Sequence, residues 1–352
     1  MEKDIIRLLD ADFNRAREAL RVMEDFARFI LNDSRLTETA KQLRHDLCRI
    51  INLLPLSERL SNRDIVDDVG VNISTVSETS RADTRAVVQA AANRLTEALR
   101  CLEEYVKIEN PETAANLESL RYRSYQLEKQ ILSRSHLSGR LQSMRLYVLV
   151  TEFLCRKDII DVVDQILTGP CQALQLREKD KSDSDLLLLS RKIARRCHDA
   201  DTLFIMNDRA DLAVLADADG VHLGRDDLPV KEARKILKSH MIVGKSTHSL
   251  AEAQKAAAEE PDYLSVGSVF GSPTKPNVPC CGTDLLRRVA AFWDRPLVAI
   301  GGVTSDNAQQ AFQAGASAVA VCHTILSAEN PDAVTRSLFQ KVKSLKSSDR
   351  YK

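Results

Sequence analysis

The sequence predicts two packed domains: an all-α helical bundle over residues 1–132, then a (β/α)₈ TIM barrel over residues 144–346, with a linker at 133–143. Three observations carry this expectation. The stretch NRAREALRVMEDFARF, Asn14 to Phe29, returns seventy-nine residues later as NRLTEALRCLEEYVKI, Asn93 to Ile108, with its apolar positions at helical spacing. Gly70 is the only glycine ahead of Gly139, a composition that suits helices. From residue 146 onward, eight short apolar runs alternate with amphipathic stretches.

In the first third, Phe13, Ala16, Leu20, Met23, Ala27 and Ile30 share one face of a helix and form a stripe wide enough to bury. LRHDL (43–47) and LRYRS (120–124) follow the two copies at nearly the same distance, so the unit of repetition is a helical hairpin and four main helices result. The segment 57–75 mixes turn formers, acids and a glycine and reads as a long connection; Asp67 and Asp68 within it suit a turn, with metal binding as the alternative.

Opposite the apolar face, Asn14, Glu18, Arg21, Asp25 and Arg28 fall within about 80° of one another, as do Asn93, Glu97, Arg100, Glu104 and Lys107. Two readings stand. Such a stripe can be a solvated face laced with charge pairs three and four residues apart. The recurrence of asparagine, a weak helix former, favours instead two stripes facing each other across a polar cleft.

SRSHLSGRLQS (133–143), small and polar, reads as the linker. Beyond it the strand candidates are LYVLVTE (146–152), ALQLREK (173–179), TLFIMND (202–208), GVHLG (220–224), MIVGKST (241–247), YLSVGSVF (263–270), PLVAIGG (296–302) and AVAVC (318–322). Helical stretches follow them, for example 183–198, 229–238, 249–259 and 304–314. Eight alternating units in roughly 200 residues meet the requirement of a closed barrel, whose active site lies at the C-terminal ends of the strands.

Fifty basic residues balance fifty acidic ones, so no overall field favours nucleic acid or an anionic membrane. No apolar run reaches the roughly 20 residues of a membrane span and the charged start is unlike a secretory leader, which places the protein in the cytoplasm. Eight cysteines without paired CxxC spacing read as reduced thiols, Cys280 and Cys281 included.

Polar residues gather at the expected strand ends. Gln175, Arg177 and Lys179 alternate and so share a face after the second run. The third ends in Asn207 and Asp208, and Asp226 and Asp227 follow the fourth; carboxylates from neighbouring loops are hard oxygen ligands suited to Mg²⁺. Ser246, Thr247 and His248 end the fifth, and the sixth runs into Ser272, Thr274 and Lys275, hydroxyls and a cation suited to a diphosphate. Gly301, Gly302 and Thr304 end the seventh, with Cys322, His323 and Thr324 after the eighth, where barrels often bind phosphate through backbone amides. Asp226 is expected to be a helix cap and His222, flanked by Val221 and Leu223, a structural side chain.

Taken in order, QLREKD, MNDRADLA, ADGVHLGRDD, GKSTHS, PTKP and AIGGVT resemble thiamine phosphate synthase over about residues 145–330. The resemblance implies an enzyme that joins hydroxymethylpyrimidine diphosphate to carboxythiazole phosphate with release of diphosphate, one Mg²⁺ per barrel, and no protein nucleophile. It assigns Gln175, Arg177, Lys179, Asn207, Ser246 and Lys275 to the pyrimidine diphosphate, with Arg177, Lys179, Ser246 and Lys275 as the catalytic set. Asp208 and Asp227 go to the metal, Ser272 and Thr274 to the thiazole, and Gly302 with the amides of Cys322 and His323 to its phosphate. The chain departs from the family at Ser272, where threonine is usual, near Gly271, where proline is usual, and at His323, where serine is usual.

The first third resembles the helical domain placed ahead of some bacterial thiamine phosphate synthases, which is linked to phosphorylation of hydroxymethylpyrimidine phosphate by ATP. The repeated polar stripe supplies Asn14, Glu18, Arg21, Asn93, Glu97 and Arg100 as candidate site residues for such an activity, although residues 1–132 contain no Walker A loop. The alternatives are an assembly module, which leaves a homo-oligomer open, a barrel akin to thiazole tautomerase, or a non-catalytic sensor of thiamine intermediates with a helical partner-binding domain.

Overall fold

The computed structural model describes residues 3–52, 56–63, 80–271 and 280–345, and it divides into two units, Met1–His136 and Leu137–Lys352. In the first unit, α1 (Lys3–Asp25) runs on through a π-helical turn at Phe26–Ile30 and is followed by α2 (Ser34–Ile51), α3 (Leu56–Ser61), α4 (Thr84–Val106) and α5 (Pro111–Ser143). The expected apolar stripe is the core from Phe13 to Ala27, but Ile30, at the end of the π-helical turn, is exposed. Leu9, Phe13, Ala16, Leu20 and Met23 of α1 pack with Val88, Ala91, Leu95, Leu99 and Leu102 of α4, joined by Leu43 and Leu47 of α2 and Leu117, Leu120 and Leu127 of α5.

The duplication extends to the helix starts. Asp33 caps α2 by accepting from the amides of Arg35 and Leu36 at 3.1 and 3.0 Å, and Asn110 takes the same place before α5, accepting from Thr113 N at 2.9 Å.

The polar stripes do not confront each other across a cleft. Asn14 is partly buried and its amide donates back to Asp10 O at 2.9 Å, while Glu18, Arg21, Asn93, Glu97 and Arg100 are exposed. The physical reason is that α1 and α4 meet through their apolar faces, which turns both stripes outward. The repeated polar residues that are buried lie one position aside. Glu24 accepts from Arg44 Nε at 2.9 Å, and its counterpart Glu103 accepts from Arg121 Nε at 2.9 Å. Each repeat therefore fastens its two helices with one buried ion pair.

Residues 133–143, expected to be a linker, are helical and continue α5 to Ser143. Leu137 and Leu141 recur at helical spacing and are buried with Met144 against Leu203, Ile242 and Tyr263 of the barrel interior. Their burial outweighs the exposed Gly139, which costs about 1 kcal/mol relative to alanine in a helix interior.

All eight strands form where expected: β1 (Leu146–Val150), β2 (Ala173–Leu176), β3 (Leu203–Asn207), β4 (Gly220–Leu223), β5 (Ile242–Thr247), β6 (Tyr263–Val266), β7 (Leu297–Ile300) and β8 (Ala318–Val321). They pair in chain order, all parallel, and β8 closes on β1 with Tyr147 opposite Ala320. Between and after them lie α6 (Ile159–Leu167), α7 (Asp183–Asp199), α8 (Ala210–Leu215), α9 (Val230–Ile236), α10 (Leu250–Ala257), α11 (Gly282–Ala290), α12 (Ala308–Gln313), α13 (His323–Leu326) and α14 (Pro331–Val342). Strand residues alternate between two cores: Leu146, Val148 and Val150 pack outward under the helices, while Tyr147 and Leu149 point inward. No helix among the described residues is long and apolar enough to cross a membrane.

Candidate active site

The inward positions turn polar toward the C-terminal ends of the strands. Gln175, Asn207, His222, Ser246 and Ser265 occupy this upper layer and line a cavity of about 760 Å³, a volume suited to small ligands. Arg177, Lys179, Gly301, Gly302, Thr304, Cys322 and His323 form its rim. The structure thus brings together most of the expected barrel residues. Ser272, Thr274 and Lys275 lie outside the described residues, as do Asp67 and Asp68 of the first unit.

Asp208 and Asp227 form a pair of acids beside the strand ends. Burial first, and the neighbouring Asp227 second, push the Asp208 carboxyl up to about 6, while Lys179 and Arg177 pull it down. The pair is held by backbone. Asp208 N donates to His222 O at 2.8 Å, Gly224 N donates to Asp227 Oδ2 at 2.6 Å, and the buried Lys245 donates to Gly224 O at 2.7 Å. Asp226 is exposed and caps nothing, because α9 begins after Pro229.

The pair fits a hard cation on its chemistry. Two adjacent carboxylates held this close would repel if both were ionised, and a divalent cation removes that cost. Among the described residues no cluster of three or more ligating side chains exists, so the remaining positions suit water and phosphate oxygens, as Mg²⁺ prefers.

His222, expected to be structural, is buried and hydrogen-bonded, and it also borders the cavity. Its Nε2 lies 2.8 Å from Ser246 Oγ and its Nδ1 2.9 Å from Tyr263 Oη. Burial pushes its imidazole down to about 4, so it is neutral at physiological pH. Beyond it, Tyr263 Oη lies 3.0 Å from Tyr147 Oη, to which Gln175 Nε2 donates at 2.6 Å. Tyr263 fits inside the barrel because residue 244 is glycine: a Cβ there would stand 2.1 Å from Tyr263 Cζ. Strand period contained a signal for these residues, since His222 is registered opposite the inward Asn207. Its apolar neighbours obscured it.

At the opposite rim, Gly301 and Gly302 have φ of 95° and 64°. A Cβ on Gly302 would lie 2.2 Å from Gly271 O. The turn is closed by Asn307, whose Oδ1 accepts from Thr304 N and whose Nδ2 donates to Gly302 O, both at 2.8 Å. Cys322 precedes the short α13, which starts at His323.

This architecture defines a class: a (β/α)₈ barrel enzyme whose polar mouth lies at the C-terminal ends of the strands. Comparison narrows it. Residues 146–325 match the family described as thiamine monophosphate synthase, and residues 7–130 match the ThiD2 family. The chain is 36% identical over 346 residues to thiamine-phosphate synthase of Nostoc sp., covering 98% of this chain and 96% of that one. It is 38% identical over 338 residues to thiamine-phosphate synthase of Synechocystis sp., covering 96% of each. A solved thiamine phosphate pyrophosphorylase from Pyrococcus furiosus superposes with a TM-score of 0.54 at 33% identity, covering 59% of this chain and 98% of that one. The chain belongs to the thiamine phosphate synthase family, a family of transferases acting on small phosphorylated substrates, and its residues 7–130, ahead of the barrel, are similar to the ThiD2 family.

Proposed function

We propose that the barrel joins 4-amino-2-methyl-5-(diphosphooxymethyl)pyrimidine to carboxythiazole ethyl phosphate. The bond between the pyrimidine methylene and its diphosphate oxygen breaks and the thiazole nitrogen bonds to that carbon; the thiazole carboxyl leaves as carbon dioxide and a proton from water takes its place on the ring carbon, giving thiamine phosphate and diphosphate. The observation that carries this reading is the Asp208–Asp227 pair at the strand ends, acted on electrostatically by Arg177 and Lys179, which line the cavity. Asp208 and Asp227 would hold Mg²⁺, which supplies charge neutralisation to the departing diphosphate. Arg177 and Lys179 line the cavity and act electrostatically on Asp208, and they take up the negative charge that develops on the leaving oxygens; Lys275 is assigned the same task. Gln175, Asn207 and Ser246 bind and orient the pyrimidine, Ser272 and Thr274 the thiazole. The Gly302 turn and the amides of Cys322 and His323 receive the thiazole phosphate.

The test is turnover by the full chain. Diphosphate release that needs both substrates and Mg²⁺ is the expected result. Binding of either substrate without turnover would instead support the sensor or tautomerase-like alternatives.

The proposal extends to the first unit, which phosphorylates hydroxymethylpyrimidine phosphate with ATP and so supplies the barrel's substrate. Its support is the match to the ThiD2 family over residues 7–130 on the same chain as the synthase. Incubating the full chain with ATP, Mg²⁺ and hydroxymethylpyrimidine phosphate, without thiazole, should accumulate the pyrimidine diphosphate. No such product would reduce the unit to a scaffold or assembly role. The reading also places the protein in the cytoplasm, where both substrates would be met, with small molecules as its ligands in preference to nucleic acid or membrane.

A further inference from the structure

Five side chains from five strands form one hydrogen-bonded line inside the barrel, with both ends in the cavity. Gln175 Nε2 donates to Tyr147 Oη at 2.6 Å, and the Tyr147 and Tyr263 hydroxyls lie 3.0 Å apart. Tyr263 Oη lies 2.9 Å from His222 Nδ1, and His222 Nε2 lies 2.8 Å from Ser246 Oγ. Gln175 and Ser246 both line the cavity.

Each hydroxyl has one proton and a neutral imidazole has one, so the direction of the first bond dictates all the others. Tyr147 receives a proton from the amide, and its own proton goes to Tyr263. Tyr263 then donates to Nδ1, which leaves the imidazole proton on Nε2, facing Ser246. Ser265 Oγ also points at Ser246 Oγ, at 3.4 Å. With its lone pairs engaged from two sides, Ser246 turns its own proton toward the cavity. At the far end the amide nitrogen is occupied inward, so Gln175 offers its carbonyl oxygen to a ligand.

We infer that the Tyr147–Tyr263–His222 line is a specificity device that fixes Gln175 as an acceptor and Ser246 as a donor, so that the site takes an amino-substituted pyrimidine and rejects its oxo counterpart. The inference rests on the proposed pyrimidine-binding reading of this cavity. An exocyclic amine donates to Gln175 and a ring nitrogen accepts from Ser246. An oxo group in place of the amine sets a lone pair against the Gln175 carbonyl, and relieving it requires the amide, the three hydroxyls and the imidazole tautomer to reverse together inside the barrel. Sites built on buried polar groups discriminate strongly because the mismatched partner is left unsatisfied.

The experiment measures kcat/KM of the full chain for the 4-amino pyrimidine diphosphate and for its 4-oxo analogue, in wild type, Tyr263→Phe and Tyr147→Phe. Wild type should prefer the amino compound by roughly 10³-fold or more. Either substitution removes one hydroxyl and frees the polarity of the line, so the preference should fall at least about tenfold while KM for the thiazole phosphate holds. Two variants at different points keep the test valid if one fails to fold. A wild type that turns over both pyrimidines equally, or folded variants that keep the full preference, would overturn the inference. If wild type turns over neither pyrimidine, the proposed function itself fails, which is a separate outcome.

Discussion

Arg121 donates to the buried carboxylate of Glu103 at 2.9 Å, and the same arrangement stands seventy-nine residues earlier at Glu24, held by Arg44. Burial alone would push the Glu103 carboxyl up, but hydrogen bonds from Lys107 and Arg121 hold it below the ordinary range. Its neighbour Glu104 is exposed and pairs with Arg100 and Lys107 at the surface.

The two acids should therefore respond differently to substitution. Glu103→Ala leaves the buried Arg121 only its longer contact with the exposed Glu118, at 3.8 Å, and should cost about 3 kcal/mol of stability. Glu104→Ala should leave stability nearly unchanged, because exposed pairs contribute little. Urea unfolding of both variants checks this, and equal losses would contradict the assignment of the repeat to a buried staple.

Asp208→Asn should lower kcat on the order of 10²-fold or more while changing the affinity for carboxythiazole phosphate little, since its carboxylate is assigned to the metal and not to the thiazole. Steady-state kinetics with each substrate varied in turn separates the two. Equal losses in kcat and thiazole affinity would argue against the metal role.

Gly302→Ala should do the reverse. The added Cβ meets Gly271 O, and a φ of 64° costs a side chain about 1–2 kcal/mol. The expected outcome is a KM for the thiazole phosphate raised about tenfold or more, with a smaller change for the pyrimidine diphosphate.

A pH effect on stability is expected at His198. The hydrogen bond to Asp219, whose Nε2–Oδ2 distance is 3.3 Å, raises the imidazole above its ordinary value of 6.5. A raised folded-state value means that the contribution is complete below the unfolded value of about 6.5 and disappears as pH rises through the folded one. Wild type should thus exceed His198→Gln in unfolding midpoint at pH values near 5.5, and the gap should close in alkaline buffer. A gap that widens on raising the pH would reverse the assigned sign.

Much of the barrel was legible in the chain because strand period and strand length are local properties. The strand-end runs QLREK, MND and GKSTHS put Gln175, Asn207 and Ser246 on the inner surface with no tertiary information. His222 was harder to read because its role depends on Tyr263 and Ser246, two strands that its own neighbours do not announce. In the helical unit, Glu24 and Glu103 sit one position from exposed acids, and only the approach of Arg44 and Arg121 from another helix distinguishes them. Residues 133–143 misled for the opposite reason: Ser133, Ser135 and Gly139 suggest a flexible joint, yet Leu137 and Leu141 bury themselves under the strands.

That last feature determines where the chain can be cut. Family resemblance begins at residue 146, but the hydrophobic floor of the barrel includes Leu137, Leu141 and Met144. Proteolysis after Ser143 would release a barrel with an open base, its Leu203 and Ile242 wetted and adhesive. A synthase half meant to survive alone needs the closing turns of α5, so its working boundary lies upstream of its first strand, at Leu137.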